Sequence, residues 1–392
     1  MSNEKKNFLL TAGRAPSTLD LARQLNSAGH SVYIADTIRW HVCSASNAVS
    51  RNFIVPSPRF ETAAFIKSLI EIINLEKIDY LIPTFEEVLY ISEHLDTFPK
   101  SCKVFSAPFE TLVRLHNKWF FFEQQLKHGI ESPETFLIKS KDDLKQLDPT
   151  CNYALKASYS RSAQSIYKVG PAAPCPDIEI EPHNPWIAQK WLEGKRFCTY
   201  SVCENGKLKA HATYPVQIAI QGHFCLNFEA VDHPGILEWI KNFVACENFT
   251  GQAGFDMFEM EDGKIFAIEC NPRATHGLIL FQNSDRIDRA FTGCVESIIT
   301  PKQGNTKQIA GGMAFYGWKS AYNENKMKEF FKILFTTPDV IFNTNDIKPF
   351  IYTPLTYSNY IFESLKSKLN LPAAFTHDFN WEGEVPTLIN TN

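Results

Sequence analysis

Short apolar runs alternate with amphipathic stretches along the first part of the chain. Asn7–Thr11 is an apolar strand, residues 13–16 turn, and Ser17 opens a helix, with Asp20 three positions on in the capping-box place and Gly29 as its stop. Ser31–Asp36 is the next strand. Residues 62–74 form a second amphipathic helix, and residues 78–83 (IDYLIP) a further strand. Strands that alternate with helices in this way predict a parallel sheet, so the fold class is α/β at the start of the chain. A long helix is expected over 109–128, closed by Gly129, and Ser132-Pro133 then breaks the pattern. Short strands and turns dominate to about residue 275, and residues 301–392 mix helix with aromatic-rich strand. No repeat or low-complexity segment is visible.

A dinucleotide-binding fold would place Asp36 on a ribose. The loop Thr11-Ala-Gly-Arg-Ala-Pro16 offers one glycine where that fingerprint needs three. An NAD-dependent oxidoreductase therefore fails, and a Rossmann-like structural or substrate lobe is expected. Ligands of such lobes sit beyond the carboxyl ends of strands, which makes Thr84, Glu86 and Glu87 candidate substrate contacts. The same acids would also suit the first turn of a helix.

The most informative segment is residues 254–273, GFDMFEMEDGKIFAIECNPR. Two apolar strands flank Asp262-Gly263, a strong signal for a two-residue hairpin turn. Glu261 then pairs with Lys264, and Asp256 lies opposite Glu269 with Cβ atoms about 4.5–5.5 Å apart. Their neighbours on that face are Phe258, Met260, Ala267 and Ile265. Like charges opposed among apolar neighbours need a cation or a shared proton. Asn271, two residues beyond Glu269, points the same way and adds a neutral oxygen. Two acids and an amide oxygen suit magnesium. Arg273 falls on the same side, where its fork can hold a phosphate. The plainer alternative is a hairpin whose acids meet solvent at a sheet edge.

Two lysines stand upstream. Lys156 ends the strand Tyr153-Ala-Leu-Lys156 before a Ser-rich loop, 158–165, and Lys118 sits in His116-Asn-Lys-Trp119. By sequence logic alone each reads as a solvated surface lysine, and Trp191 and Leu192 read as core. Composition narrows the class. The 392 residues suggest two or three domains, or one core with lobes, and 44% hydrophobic with 21% charged residues is ordinary for a globular protein. A net charge of −4 without a basic run argues against nucleic-acid partners, and no apolar run approaches the roughly 18 residues of a membrane span. No signal peptide is legible at the start, so a cytoplasmic location is expected. The ten cysteines are scattered without a CxxC pair, which fits reduced core residues rather than metal ligands.

Taken together these pieces resemble the ATP-grasp superfamily over most of residues 7–300. The Rossmann-like lobe, Asn117-Lys118, the strand ending in Lys156, Gln189-Lys-Trp-Leu192, and the hairpin closing in Glu269-Cys-Asn-Pro-Arg273 fall in its order. More narrowly the chain looks like the mycosporine-glycine synthase group. The likeness rests on Ser46-Asn-Ala-Val-Ser50, Val55-Pro-Ser-Pro58, Glu76-Lys-Ile-Asp79, Pro185-Trp-Ile187, Thr250-Gly-Gln252 and the closing motif, with His377-Asp-Phe-Asn380 also reminiscent.

The resemblance implies a division into a Rossmann-like pre-ATP-grasp domain (1–115), the two α+β lobes of an ATP-grasp fold (116–185 and 186–300) and a C-terminal extension on the core (301–392). It implies ATP with magnesium, manganese being an alternative. Lys118 and Lys156 would hold phosphates, and Gln189, Lys190, Trp191 and Leu192 would face adenine. Asp256, Glu269 and Asn271 would bind the metal, and Arg273, with Lys156, would serve catalysis. Glu86, Glu87 and Arg161 would lie near substrate. The implied activity is an ADP-forming ligase that phosphorylates a carboxylate or enolic oxygen and lets an amine, from an amino acid, displace phosphate. A dipeptide or amide ligase on a plain carboxylate and a non-catalytic ATP-binding regulator are the alternatives. The partners implied are small molecules, with a homodimer left open. Two departures stand out: the 158–165 loop has no glycine, and Arg196 stands where many members place a glutamate for the ribose.

Overall fold

The computed structural model describes residues 4–160, 166–220, 224–369, 371–381 and 383. The first lobe comprises β1 (Asn7–Thr11), α1 (Pro16–Ser27), β2 (Ser31–Asp36), β3 (Arg51–Ile54), α2 (Thr62–Glu76), β4 (Tyr80–Ile82), α3 (Glu87–Glu93) and β5 (Lys103–Val104). Its five strands run parallel in the order β3-β2-β1-β4-β5. The expected capping box on α1 is absent. Ala15 is the N-cap and Pro16 takes N1, where a missing N–H and a fixed φ suit the first turn, so Ser17 lies two positions past the cap. Ser17 and Asp20 are instead buried, and Asp20 accepts a hydrogen bond from Gln24 at 2.7 Å. Gly29 (φ +95°) ends the helix region as expected.

The expected 109–128 helix is two helices, α4 (Phe109–His116) and α5 (Lys118–Lys127). Asn117 between them is extended (φ −74°, ψ 120°), and its side-chain oxygen accepts from the N–H groups of Trp119 and Phe120 at 3.0 and 3.1 Å. Then come β6 (Thr135–Ile138), β7 (Tyr153–Ala157), β8 (Ile166–Val169) and β9 (Trp186–Lys190), an antiparallel sheet in the order β6-β9-β7-β8. The strand after residue 185 thus hydrogen-bonds within this sheet. Its core is its own, built on Ile138, Tyr153, Leu155, Val169, Trp186 and Ala188.

A short linker leads to β10 (Lys195–Glu204) and β11 (Lys207–Pro215). Past β12 (Ala219–Ile220), β13 (Phe224–Cys225), β14 (Asn227–Glu229) and α6 (Pro234–Cys246), the chain forms β15 (Gly251–Glu259) and β16 (Ile265–Asn271). The second antiparallel sheet runs β11-β10-β15-β16. One face shares a core with the first lobe, where Phe8, Leu10, Leu19 and Ile34 join Tyr200, Tyr214 and Leu278. Residues beyond β16 are mostly helical, and Arg23 of α1 ties them down by donating to Asp346 at 2.8 Å. Among the described residues no helix is long and apolar enough to cross a membrane.

Candidate active site

The hairpin of β15 and β16 sets the site. Asp256 lies opposite Glu269 as expected, but by a different route. Met260, not Glu261, faces Lys264: the Met260 N–H donates to the Lys264 carbonyl at 2.9 Å across a three-residue turn ending in Gly263 at φ +81°. That left-handed glycine favours the longer turn. A bulge at Ile268 then shifts the ladder back by one residue. Two offsets of one residue cancel at the acid pair. Between them the faces are exchanged: Phe258 is opposite Phe266, whereas Ala267 lies opposite Met257 and Ile265 opposite Glu259, so Ala267 and Ile265 belong to the other face. Met257, Ala267, Phe255 and Cys270 are buried there in one core.

β16 is the sheet's outer strand, yet the acids are not simply solvated, because α4 and α5 pack over it. Glu269 keeps 17% of its side chain exposed and lies 3.5 Å from the Lys118 ammonium. Burial, and then the Glu269 charge, push the Asp256 carboxyl above its ordinary range, against the Cys198 thiol, Arg196 and Lys118. Asn271 continues the same face through its pairing with Gly254, and its side-chain oxygen accepts from Arg273 at 3.3 Å. This is a hard-oxygen donor set with charge to balance, and it fits magnesium completed by water and phosphate oxygens. Among the described residues no group of three or more His, Cys, Asp or Glu gathers as a metal site.

The two lysines are not surface charges. Lys118 is 3% exposed and Lys156 2%. Lys118 stands at the first position of α5 because Asn117 breaks the chain there, and its ammonium donates to the Ser160 carbonyl at 2.8 Å. Lys156 leaves β7 inward and donates to Gln189 Oε1 at 2.8 Å, while the Gln189 amide donates to Thr135 at 3.2 Å. Burial pushes the Lys156 ammonium down to about 8; Glu269 opposes this and Lys118 adds to it.

The remaining positions divide. Trp191 and Leu192 are half-buried in the linker between the two antiparallel sheets, with the Lys168 ammonium 4.6 Å over the Trp191 ring. The Lys190 side chain is exposed, and the N–H groups of Lys190 and Trp191 both donate, at 2.8 Å, to the carbonyls of Glu134 and Asn152. At Gly194 a Cβ would meet the Glu259 carbonyl oxygen at 2.5 Å, so the linker passes hard against the hairpin. Arg196 shares the Asp256 face, with its guanidinium 5.9 Å over Phe258, and Glu193 is exposed.

Arg273 lies over Phe85 at 4.8 Å, and its Nε is 3.6 Å from Glu86 Oε1. Glu87 starts α3: one oxygen accepts from the N–H groups of Thr84 and Phe85 at 3.0 and 3.1 Å and from the Thr11 hydroxyl. Burial raises its carboxyl. Arg161 lies outside the described residues, as does the rest of 161–165. Asp36 is fully buried against Arg14 (2.7 Å), which removes it from any ribose.

Sequence reasoning missed the part played by residues 377–381. The Trp381 N–H donates to Glu86 at 3.2 Å, from 295 positions away. The resemblance touched on His377-Asp-Phe-Asn380 but attached no role to it, and stopped short of Trp381.

No protein-family model matches the sequence, and no curated protein matches it. Solved structures do. The N5-carboxyaminoimidazole synthetase from Staphylococcus aureus complexed with ADP is similar at a TM-score of 0.58 and 11% identity, over 77% of this chain and 82% of that one. Carboxyaminoimidazole ribonucleotide synthase from Aspergillus clavatus complexed with ATP is similar at 0.57 and 16%, over 76% and 80%. An L-amino acid ligase from Bacillus licheniformis is similar at 0.53 and 14%, over 70% and 69%. The mixed architecture, a parallel sheet followed by two antiparallel sheets, is a fold this chain shares with these synthetase and ligase structures.

Proposed function

We propose that this chain is an ATP-dependent ligase that forms a C–N bond and releases ADP and phosphate. One observation carries the reading: two water-excluded lysines, Lys118 and Lys156, converge on the opposed carboxylates of Asp256 and Glu269. Lys118 and Lys156 would hold ATP phosphates, and Asp256, Glu269 and Asn271 would hold magnesium or manganese. The bound metal would neutralise charge on the phosphates. Gln189, Lys190, Trp191 and Leu192 would face the base at the linker between sheets. Glu86, Glu87 and Arg161 would border the acceptor.

In this mechanism an acceptor oxygen, of a carboxylate or an enol, attacks the γ-phosphorus in line and ADP leaves. Arg273 steadies the new phosphate. The amine nitrogen attacks the carbon that carries it, the C–O bond breaks, phosphate leaves with the electron pair, and the amine proton passes to solvent. Holding both reactants between lobes makes the second step local. An amino acid is the amine we favour, and the narrower resemblance points to a cyclic enolic acceptor. A dipeptide or amide ligase remains the neighbouring choice. With this reading go a cytoplasmic location, small-molecule partners, and lobes at 1–115, 116–190, 191–300 and 301–392, the second drawn to keep β9 with its sheet.

A second reading, a nucleotide binder without turnover, rests on Arg196, which stands on the Asp256 face in place of an acid. Phosphate release from Mg-ATP, screened over amino acids paired with candidate acceptors, separates the two. Release that needs both reactants and disappears in Glu269→Gln is expected. Tight Mg-ATP binding without release from any pair would favour the binder.

A further inference from the structure

Residues 377–381 cross the carboxyl ends of the parallel strands, the crevice where open α/β sheets take ligands. Asp378 accepts from Arg14, in the loop after β1, at 2.8 and 3.0 Å, and Arg14 also holds Asp36 at the end of β2. The Asp378 carbonyl accepts from Ser57 at 2.9 Å. Phe379 is buried under the Arg14 guanidinium at 4.4 Å, and the Asn380 carbonyl accepts from Tyr90 at 2.7 Å. So anchored, the segment delivers Trp381, 5% exposed, to the junction of three elements.

Its N–H donates to Glu86 at 3.2 Å, and the other oxygen of that carboxylate faces Arg273 at 3.6 Å. Its indole meets the Tyr159 ring edge-on at 5.2 Å and the His116 ring at 6.3 Å. Tyr159 lies just beyond β7, and His116 precedes Asn117 and Lys118. A Cβ at Gly383 would meet the Tyr159 ring at 2.8 Å, so the backbone beyond Trp381 also presses on that ring.

We propose that residues 377–381 are part of the active site: Trp381 is a positioning residue that sets Glu86 toward Arg273 through its N–H and braces Tyr159 through its indole. The idea rests on the ligase reading above and adds to it a segment outside the residues assigned there to the nucleotide. It acts on Arg273 through Glu86, so it governs turnover rather than ATP affinity.

The test compares full-length native protein with Trp381→Ala and Trp381→Phe. With a pair that supports phosphate release, Trp381→Ala is expected to lose about tenfold or more in kcat while KM for ATP stays within about threefold, and Trp381→Phe to recover most of the loss. Unchanged kcat overturns the proposal. So does a joint fall of kcat, ATP affinity and Tm that Phe does not repair, the mark of a merely structural residue. A second arm needs no acceptor: amide exchange of residues 377–381 in native protein, with and without Mg-AMPPNP. Slowing of about fivefold or more is expected on nucleotide binding, since phosphates held at Lys118, whose ammonium meets the Ser160 carbonyl, would order the Tyr159 and His116 rings against Trp381. Bound nucleotide with unaltered exchange overturns the proposal and leaves the ligase reading standing. Failure of native protein to bind Mg-AMPPNP sinks the ligase reading and this inference together.

Discussion

Lys156 holds a positive charge where water does not reach, and its ammonium is drawn down from 10.5 to about 8. That gap corresponds to roughly 3 kcal/mol of folding free energy, an order-of-magnitude figure. The sign follows from proton binding. Below pH 8 both folded and unfolded states carry the proton and the cost of burying it is fully present. Between 8 and the unfolded value the unfolded chain holds the proton that the folded one has lost, so stability rises with pH. Lys156→Met should therefore be more stable than native by about 2–3 kcal/mol at pH 7 in urea unfolding, with the advantage shrinking toward pH 10. Phosphates would restore the proton. Titration calorimetry of Mg-AMPPNP at pH 8–9 in buffers of different ionisation enthalpy should show proton uptake by native protein and none by the variant. Equal proton uptake by both would assign the proton to another group. Nothing local in Tyr153-Ala-Leu-Lys156 distinguishes this lysine from a solvated one; its partner Gln189 comes from β9, which the strand itself does not encode.

At the scale of elements, the break at Asn117 matters more than the helices it separates. A continuous helix would leave Lys118 in mid-helix, whereas the Asn117 cap makes it the first residue of α5, against Ser160 and Glu269. Removing such a cap costs about 1 kcal/mol. Asn117→Ala should lower Tm by a few degrees and weaken Mg-AMPPNP binding, while Asn117→Ser or Asn117→Asp should keep most of both. A native nucleotide affinity in Asn117→Ala would uncouple the cap from the lysine.

The periodic elements of the first lobe were legible because Asn7–Thr11 and Ser31–Asp36 match the strand pattern residue for residue. The cap was not, since Asn117 lies within a stretch whose apolar residues continue past it. The hairpin was legible at its ends and not in its middle. Asp262-Gly263 marked the turn and the acid pair fell opposite, but turn length and the Ile268 bulge exchange the faces of residues 265 and 267 without altering the pattern of residue types enough to read.

At the scale of the whole molecule, the resemblance gathered Lys118 with Glu269, but contacts such as Arg14 with Asp378 left no sign in the residues themselves. Asp36, which a dinucleotide reading would turn outward, is enclosed with Arg14 and Asp378. The Arg14 guanidinium holds the Asp36 carboxyl below its usual range against the opposing effect of burial. The pair therefore adds stability above the unfolded carboxylate value, and this is lost as pH falls through the lower folded one. Breaking a buried pair by removing one partner costs about 3–5 kcal/mol. Asp36→Asn should show that loss at pH 7 and a shallower decline of stability on acidification than native. Asp378→Asn should lose less, because Asp378 is partly exposed. Matching acid profiles for native and Asp36→Asn would rule out the pair as the source of acid sensitivity.

The same cluster constrains the order in which the molecule can be completed during synthesis. Asp378 follows Arg14 by 364 residues. At about 5–20 residues per second, a ribosome needs on the order of 20–70 s to make that interval. The first lobe emerges with strands that can already pair, yet with a guanidinium that lacks one of its two carboxylates and a crevice still open. A nascent chain can thus begin folding early, but its founding lobe is sealed only when a stretch translated much later returns to it.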